Sequence, residues 1–315
     1  MKIGVCGYGY VGKAMYRFFS KKYETVVYDP AYVGAPAIAK FQFENDGELE
    51  RFKKECNNPN AIFKVDADSL SQTIKLPLTN IIVDKADINT CDLAVICVPT
   101  PMKKDGSCDI SIVEETVEWL EVPLILCKST VPPGTTHRLS YKYGRNIVFS
   151  PEYMGESSYY TPPNWVHPTD LEKHPFQIFG GEKISTSKMV DIFIPIMGPH
   201  VKFKQTDSTT AEFIKYWENV FGAVRVAFFN EMYNACKAFG IDYWEARDGW
   251  LLDNRVEACH SAVFVNNRGF SGKCFPKDLM AFISAAEKAG CNMKILKEVW
   301  NTNTDWHPEF KRIEE

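Results

Sequence analysis

The ten cysteines of this chain include no C-x-x-C pair, an absence that argues against a zinc ribbon or a thioredoxin-like motif, and no metal is expected. There is no run of about eighteen apolar residues, the length needed to cross a bilayer. Glycines interrupt the first apolar segment, so no signal peptide is expected either. Charge of one sign is not in excess: 36 Lys and Arg stand against 40 Asp and Glu, leaving −4 and no basic footprint for nucleic acid. No internal repeat or low-complexity tract interrupts the sequence. What is present is 315 residues with 45% hydrophobic content, enough to bury a sizeable core and to form two domains. Several cysteines lie in apolar strand-like runs, as reduced core residues of a cytoplasmic protein would.

Near the amino end, Gly7-Tyr8-Gly9-Tyr10-Val11-Gly12 follows the apolar run Ile3–Cys6 and opens the helical pattern Lys13–Phe19. The first glycine allows a tight turn, the second admits a pyrophosphate to the backbone, and the third lets helix and strand pack closely. Asp29 ends the next apolar run, Thr25–Tyr28, about twenty residues on, where an acid accepts hydrogen bonds from an adenosine ribose. No Arg or Lys follows at once, so the pattern favours NAD over NADP. The plain alternative is a tight turn with Asp29 as a cap.

Strand-like runs at residues 2–6, 25–28, 80–83, 93–98, 123–127, 146–149, 176–179 and 201–203 alternate with helical stretches, the pattern of a mostly parallel sheet. Between residues 31 and 79 the pattern blurs; Glu44–Lys54 is predicted helical and the remainder is unassigned. At Asp207 the texture changes. Thr209 and Glu212 read as a capping box, and helical periodicity then runs from about 209 to 239, ending before Gly240. A helix of that length serves as a spine between domains or as a dimer interface. The predicted fold is thus α/β: a Rossmann-like, mostly parallel sheet over 1–206, then a long central helix and a small all-helical domain over 207–315. On the long helix, Lys215 and Asn219 are four apart and share one face.

A second site signal lies in Gly269-Phe270-Ser271-Gly272-Lys273-Cys274-Phe275-Pro276-Lys277-Asp278. A packing cysteine sits among apolar neighbours, whereas Cys274 has glycines that leave room for a substrate and lysines that favour its thiolate. With the dinucleotide signature, this suggests chemistry on an aldehyde.

These motifs, with Val98-Pro99-Thr100-Pro101, Asp105-Gly106, Asp109, Ser129–Thr136, Ser150–Glu156, Ala211–Tyr216, Glu218-Asn219 and Asp253–Val256, stand in the order found in the UDP-glucose/GDP-mannose 6-dehydrogenase family. The chain most resembles the UDP-glucose 6-dehydrogenase branch. The resemblance implies oxidation of a nucleotide-sugar alcohol to the acid with two NAD, through a thiohemiacetal and a thioester on Cys274. Oxidation of the aldehyde requires a tetrahedral adduct that still carries a transferable hydrogen, which a thiol supplies.

Carried over by position, the resemblance implies that Lys215 and Asn219 stabilise oxyanion character and that Asp278 serves the water or base. Thr130, Glu152 and Glu156 would lie around the sugar and catalytic water. It places Gly7, Tyr10, Val11, Asp29, Thr100, Thr130 and Lys277 on the cofactor side. Around the substrate it places Glu152, Tyr153, Met154, Glu156, Lys215, Asn219, Phe270 and Gly272, with Arg255 reaching across a homodimer interface. The chain departs from the family at Ser271, where a second glycine is usual, and at Lys273, where small or aromatic residues are common. The family's third, nucleotide-binding-like domain is not expected after Asn303. Two other readings compete: a two-domain 6-phosphogluconate or β-hydroxyacid-type dehydrogenase, which needs no thiol, and a non-catalytic NAD or nucleotide-sugar binder.

Overall fold

The computed structural model describes residues 1–32, 38–43, 62–63, 72–77, 81–153 and 171–313. In chain order the strands are β1 (Lys2–Cys6), β2 (Glu24–Tyr28), β3 (Ile38–Phe43), β4 (Ile62–Phe63), β5 (Gln72–Pro77), β6 (Leu93–Ile96), β7 (Ile125–Cys127), β8 (Ile147–Phe149), β9 (Phe176–Gly180) and β10 (Lys202–Thr206). Seven form one sheet in the order β10-β9-β8-β7-β6-β1-β2. Neighbours are parallel except at β8 and β9, which meet antiparallel through Phe149 and Gly180.

Side chains of a strand alternate between faces, and the alternation here separates two cores. Ile3, Val5, Leu93, Val95, Leu126 and Val148 join Met15, Phe18 and Phe19 of α1 (Tyr10–Ser20) on one face. Cys6, Ala94, Ile96, Ile125, Cys127 and Phe149 join Ile88 of α2 (Lys85–Ile88), Val113 and Val117 of α3 (Ser111–Trp119) and Leu139 of α4 (Thr135–Tyr143) on the other. With helices on both faces, the strands read as nearly continuous apolar runs, which is why sequence pattern found them.

Two expectations are revised in this region. The predicted strand 80–83 is reduced to a single parallel bridge between Val27 and Ile82. The unassigned segment contains a separate antiparallel sheet in the order β3-β5-β4. The predicted helix Glu44–Lys54 lies outside the described residues.

The chain leaves β1 toward β2 on one side and returns to β6 on the other, so β1 and β6 flank the point where strand order reverses. Ligands of open α/β sheets bind there, at the carboxyl ends of the strands. Gly12 is fixed by this geometry, since a Cβ on it would stand 1.9 Å from the Gly7 carbonyl oxygen.

After α5 (Lys183–Met197), the 32-residue α6 runs from Ser208 to Phe239 and ends at Gly240 in the left-handed conformation. Its cap differs from the expected box: Asp207, not Thr209, accepts the Thr210 N–H at 2.8 Å. Glu212 is fully buried and reaches to another helix instead. Its carboxylate accepts N–H bonds from Gly134 (2.5 Å) and Thr136 (2.7 Å) and the Thr136 hydroxyl (2.6 Å), satisfying the amino end of α4. Glu212 therefore fastens the long helix to the sheet unit.

Beyond α6 come α7 (Tyr243–Trp250), α8 (Phe275–Lys288) and α9 (Lys294–Thr304). Tyr216, Val220, Ala223 and Ala227 of α6 form a third core with Leu279, Phe282 and Ile283 of α8 and with Leu296 and Trp300 of α9. The crossing of α6 and α8 is close because position 222 is glycine; a Cβ there would meet the Phe275 ring at 2.6 Å.

Glu212→Ala leaves the two buried donors of Thr136 without their acceptor, at about 1–3 kcal/mol for an orphaned group, and a half-buried one at Gly134, so we expect unfolding to become easier by roughly 2–4 kcal/mol. Burial raises the Glu212 carboxyl from 4.5 to about 7. The folded chain thus holds a proton that the unfolded chain has already lost between those values. Glu212's contribution is fully present below the unfolded value and is lost as pH rises through about 7. Urea unfolding across pH 4–8 checks both points: this component of the pH slope should vanish in the variant.

Candidate active site

The long helix and the first turn of α8 bring three of the expected residues into one hydrogen-bonded line. Lys215 and Asn219 stand one turn apart on α6, and the Lys215 Nζ lies 3.3 Å from the Asn219 Oδ1. Asn219 Nδ2 donates to Asp278 Oδ2 at 2.5 Å, and the other oxygen of Asp278 takes the Lys277 ammonium at 2.5 Å. Lys215, Asn219 and Asp278 are all buried. An Asn between a cation and a carboxylate suits the arrangement, because its carbonyl faces one and its amide the other.

Lys215 also donates to the backbone carbonyl of Glu152 and lies 5.4 Å from the centre of the Tyr153 ring. Glu218 Oε2 stands 3.8 Å from the same ammonium. The segment after β8 is therefore drawn onto the long helix.

Cys274 is exposed, immediately before α8. Its own carbonyl accepts the Asp278 N–H at 2.9 Å, which sets Asp278 one turn from the thiol-bearing residue. The amino end of a helix favours an anion and so a thiolate. The preceding loop is tied down from afar: Asn303 of α9 receives the Phe270 N–H at 2.8 Å and donates to the Phe270 carbonyl at 2.9 Å. Arg268 bonds Asn230 and Asn234 while its guanidinium lies over Tyr233 and Trp306.

On the opposite side, Tyr8 N–H and Ala31 N–H donate to the two oxygens of Asp29 at 2.7 and 2.9 Å. The two roles considered for Asp29 are compatible: it braces the turn, and each carboxylate oxygen keeps a further lone pair. Tyr10 and Val11 open α1. Gly9 has open space where a side chain would stand, a cradle suited to a dinucleotide's phosphates. Thr100 is buried after β6, and Ser129 Oγ, beside Thr130, donates to the Val98 carbonyl at 2.7 Å, so the β6 and β7 ends are joined.

Other expected residues fall elsewhere. The Phe270 side chain is buried in the helical core, with both its backbone polar groups engaged by Asn303. Gly272 is in the left-handed region, which a glycine adopts without strain. Arg255 points into solvent and pairs with Asp253 at 2.5 Å, away from the Lys215 cluster's hydrogen bonds. Met154 and Glu156 lie outside the described residues.

One residue not singled out from sequence is Lys128. Its side chain is 1% exposed and donates to the Pro151 carbonyl at 2.7 Å and to Ser150 Oγ at 3.2 Å, with Glu152 Oε2 at 3.7 Å. Burial lowers its pKa, and the nearby Cys97 thiol is pushed well up by burial and by Glu152. The available signal was a lysine directly after the apolar run Leu124–Cys127, since lysine is almost never buried unless paired. Asn303, too, was missed, because its partner is 33 residues away. Among the described residues no group of acidic, His and Cys side chains could hold a metal, and no helix is long and apolar enough to cross a membrane.

Residues 66–162 match the NAD binding domain of the UDP-glucose/GDP-mannose dehydrogenase family, and residues 209–305 match its central domain. A UDP-glucose 6-dehydrogenase of Rickettsia typhi is 31% identical over 241 residues, 73% of this chain and 52% of that protein. One of Bacillus subtilis is 30% identical over 231 residues, 69% of this chain and 47% of that protein. The solved UDP-glucose dehydrogenase of Pyrobaculum islandicum superposes with a TM-score of 0.72 at 24% identity, covering 98% of this chain and 68% of that one. The chain spans about half the length of the curated relatives it matches. NAD is the cofactor that goes with the first of the matched domains. With both matched domains present in order and the Gly-rich turn leading the sheet, the chain belongs to the UDP-glucose/GDP-mannose dehydrogenase family.

Proposed function

We propose that this chain carries the NAD-dependent, four-electron oxidation of a nucleotide sugar, UDP-glucose to UDP-glucuronate. Residues 1–206 would form the cofactor unit and 207–315 the helical unit. The observation that carries the reading is the line Lys215–Asn219–Asp278, one helical turn from Cys274. A cation, a neutral donor and a carboxylate one turn from a thiol-bearing residue are what two successive oxidations at one carbon demand.

In this reading the sugar 6-hydroxyl loses a proton and a hydride to become an aldehyde, with Lys215 stabilising the alkoxide. The Cys274 thiolate adds to the aldehyde, and the thiohemiacetal loses a second hydride to become a thioester. Water, with a proton passed to Asp278 or to a carboxylate near it, releases the acid and restores the thiol. NAD, bound afresh for each oxidation, would supply the hydride acceptor, two molecules per sugar. Asp29 would hold the cofactor's ribose and Gly7, Tyr10 and Val11 its phosphates, with Thr100, Thr130 and Lys277 also on the cofactor side. Glu152, Tyr153, Met154, Glu156 and Gly272 belong to the sugar side in the same reading.

Two further proposals accompany it. Phe213, Trp217, Phe221, Phe228 and Met232 leave a partly exposed apolar stripe on α6; these spacings of four and seven fit one helical face. That face supports a homodimer through the central helix, with Arg255 offered to the partner's substrate. The setting would be the cytoplasm, where thiols stay reduced.

NADH formation at 340 nm with NAD and UDP-glucose should give two NADH per sugar. Cys274→Ala should lower net uronate formation by about 1000-fold or more. One NADH per sugar, with the variant unimpaired, would instead indicate a β-hydroxyacid-type dehydrogenase; NAD binding without turnover on any nucleotide sugar would indicate a binding protein. Separately, Asp29→Ala should weaken NAD binding about 10-fold or more while leaving UDP-glucose binding within twofold, because it contacts only the ribose and its own turn. Calorimetric titration with each ligand measures this, and an unchanged NAD affinity would refute the assignment of Asp29.

A further inference from the structure

Two buried lysines approach Glu152 from different elements. Lys215 of α6 takes its backbone carbonyl, and Lys128, at the end of β7, stands 3.7 Å from its carboxylate. Lys128 also takes the preceding carbonyl, that of Pro151, and the hydroxyl of Ser150. Three consecutive residues after β8 are thus gripped from beneath by one side chain. The ammonium is nearly sealed from water, and its charged neighbours are Glu152, the Cys97 thiol and, as a like charge, Lys215.

We propose that Lys128 is a positioning residue: by gripping the peptide of residues 150–152 it aims the Glu152 carbonyl at Lys215 and so fixes the Lys215 ammonium in the reacting line. This rests on the reading of that line as the active site. The chemistry favours the assignment over simple ion pairing, because the ammonium donates to a carbonyl and a hydroxyl on successive residues besides facing the Glu152 carboxylate at 3.7 Å. A buried Lys is costly to desolvate, and a hydrophobic side chain of similar volume would often serve stability as well or better. A cation kept here, acting on a segment whose next contact is Lys215, is placed to serve orientation. The effect passes through Glu152; Lys128 itself need touch neither sugar nor cofactor.

The test uses Lys128→Met, which keeps length without charge, and Lys128→Ala with ethylammonium supplied in solution. With NAD and UDP-glucose, Lys128→Met should lose about 100-fold in kcat, the scale of a roughly 1 Å misplacement, while the NAD dissociation constant stays within twofold. Ethylammonium should restore at least about a tenth of the lost rate to Lys128→Ala and do nothing for the parent enzyme. A kcat for Lys128→Met within threefold of the parent would overturn the proposal, as would an equal loss in both variants that ethylammonium does not relieve. A readout independent of turnover separates this from the functional reading: the Nζ resonance of Lys215 in 15N-lysine-labelled protein, identified through Lys215→Arg. It should shift in Lys128→Met and return toward the parent value in Lys128→Ala with ethylammonium. An unmoved Lys215 resonance overturns the positioning role even if the parent protein oxidises no nucleotide sugar. If the resonance shifts and the parent forms no NADH, the positioning stands and the functional reading fails.

Discussion

The bond from Asn219 to Asp278 is the constraint on which the rest of the structure turns. It joins α6 to α8 through two side chains that are almost wholly buried. A buried carboxylate must be paired or hydrogen-bonded, and a buried amide must spend both its donor and its acceptor. Asp278 meets the first condition with Asn219 and Lys277, Asn219 the second with Asp278 and Lys215. Losing Asn219 would strip Asp278 of one of its two partners and Lys215 of one of its acceptors. The packing of α6 on α8 is therefore held by these polar groups and, beside them, by the apolar contact of Tyr216 with Phe282. Glycine at 222 lets the two helices come close enough for both.

The long helix performs two distinct tasks within its first three turns. At Glu212 it meets the sheet unit, and from Lys215 to Asn219 it meets both the segment after β8 and the start of α8. Placing the cluster on a helix that is anchored just upstream limits how far its side chains can wander relative to the sheet's switch point. The crevice between β1 and β6 and the Lys215 line are thus set by the same rigid element. The two-step oxidation proposed above would need that, since hydride acceptor and nucleophile must address the same atom without rearrangement of the scaffold.

Much of this was legible in the sequence, for identifiable reasons. Strands covered on both faces by helices leave continuous apolar runs, so β1, β2, β6 and β9 were found nearly to the residue. Asp207 and Gly240 bound a helix whose ends are marked by side-chain and backbone chemistry. Helical spacing put Lys215 and Asn219 on one face, but only the family resemblance singled them out. What escaped depends on distance. The Thr209–Glu212 pattern fits a capping box, yet Glu212 finds stronger donors at the open end of α4, some 76 residues away in sequence. The β3-β5-β4 sheet lies in a stretch whose mixed polar and apolar residues carry no clean period. Phe270 reads as part of a substrate loop, but Asn303 engages its peptide from 33 residues away and its ring enters the core.

Lys128 and Lys273 show how position, not residue type, sets what a lysine does. Lys273 is exposed beside Cys274, where water screens it and its influence on a thiolate is modest. Lys128 is sealed, so each of its contacts acts at low dielectric and is correspondingly strong. From sequence the first attracted notice because it adjoins Cys274, and the second did not because it ends a core strand. The structure reverses their weight. Fixing the geometry of the Lys215 line requires a rigid, desolvated contact, and of these two lysines only Lys128 makes one.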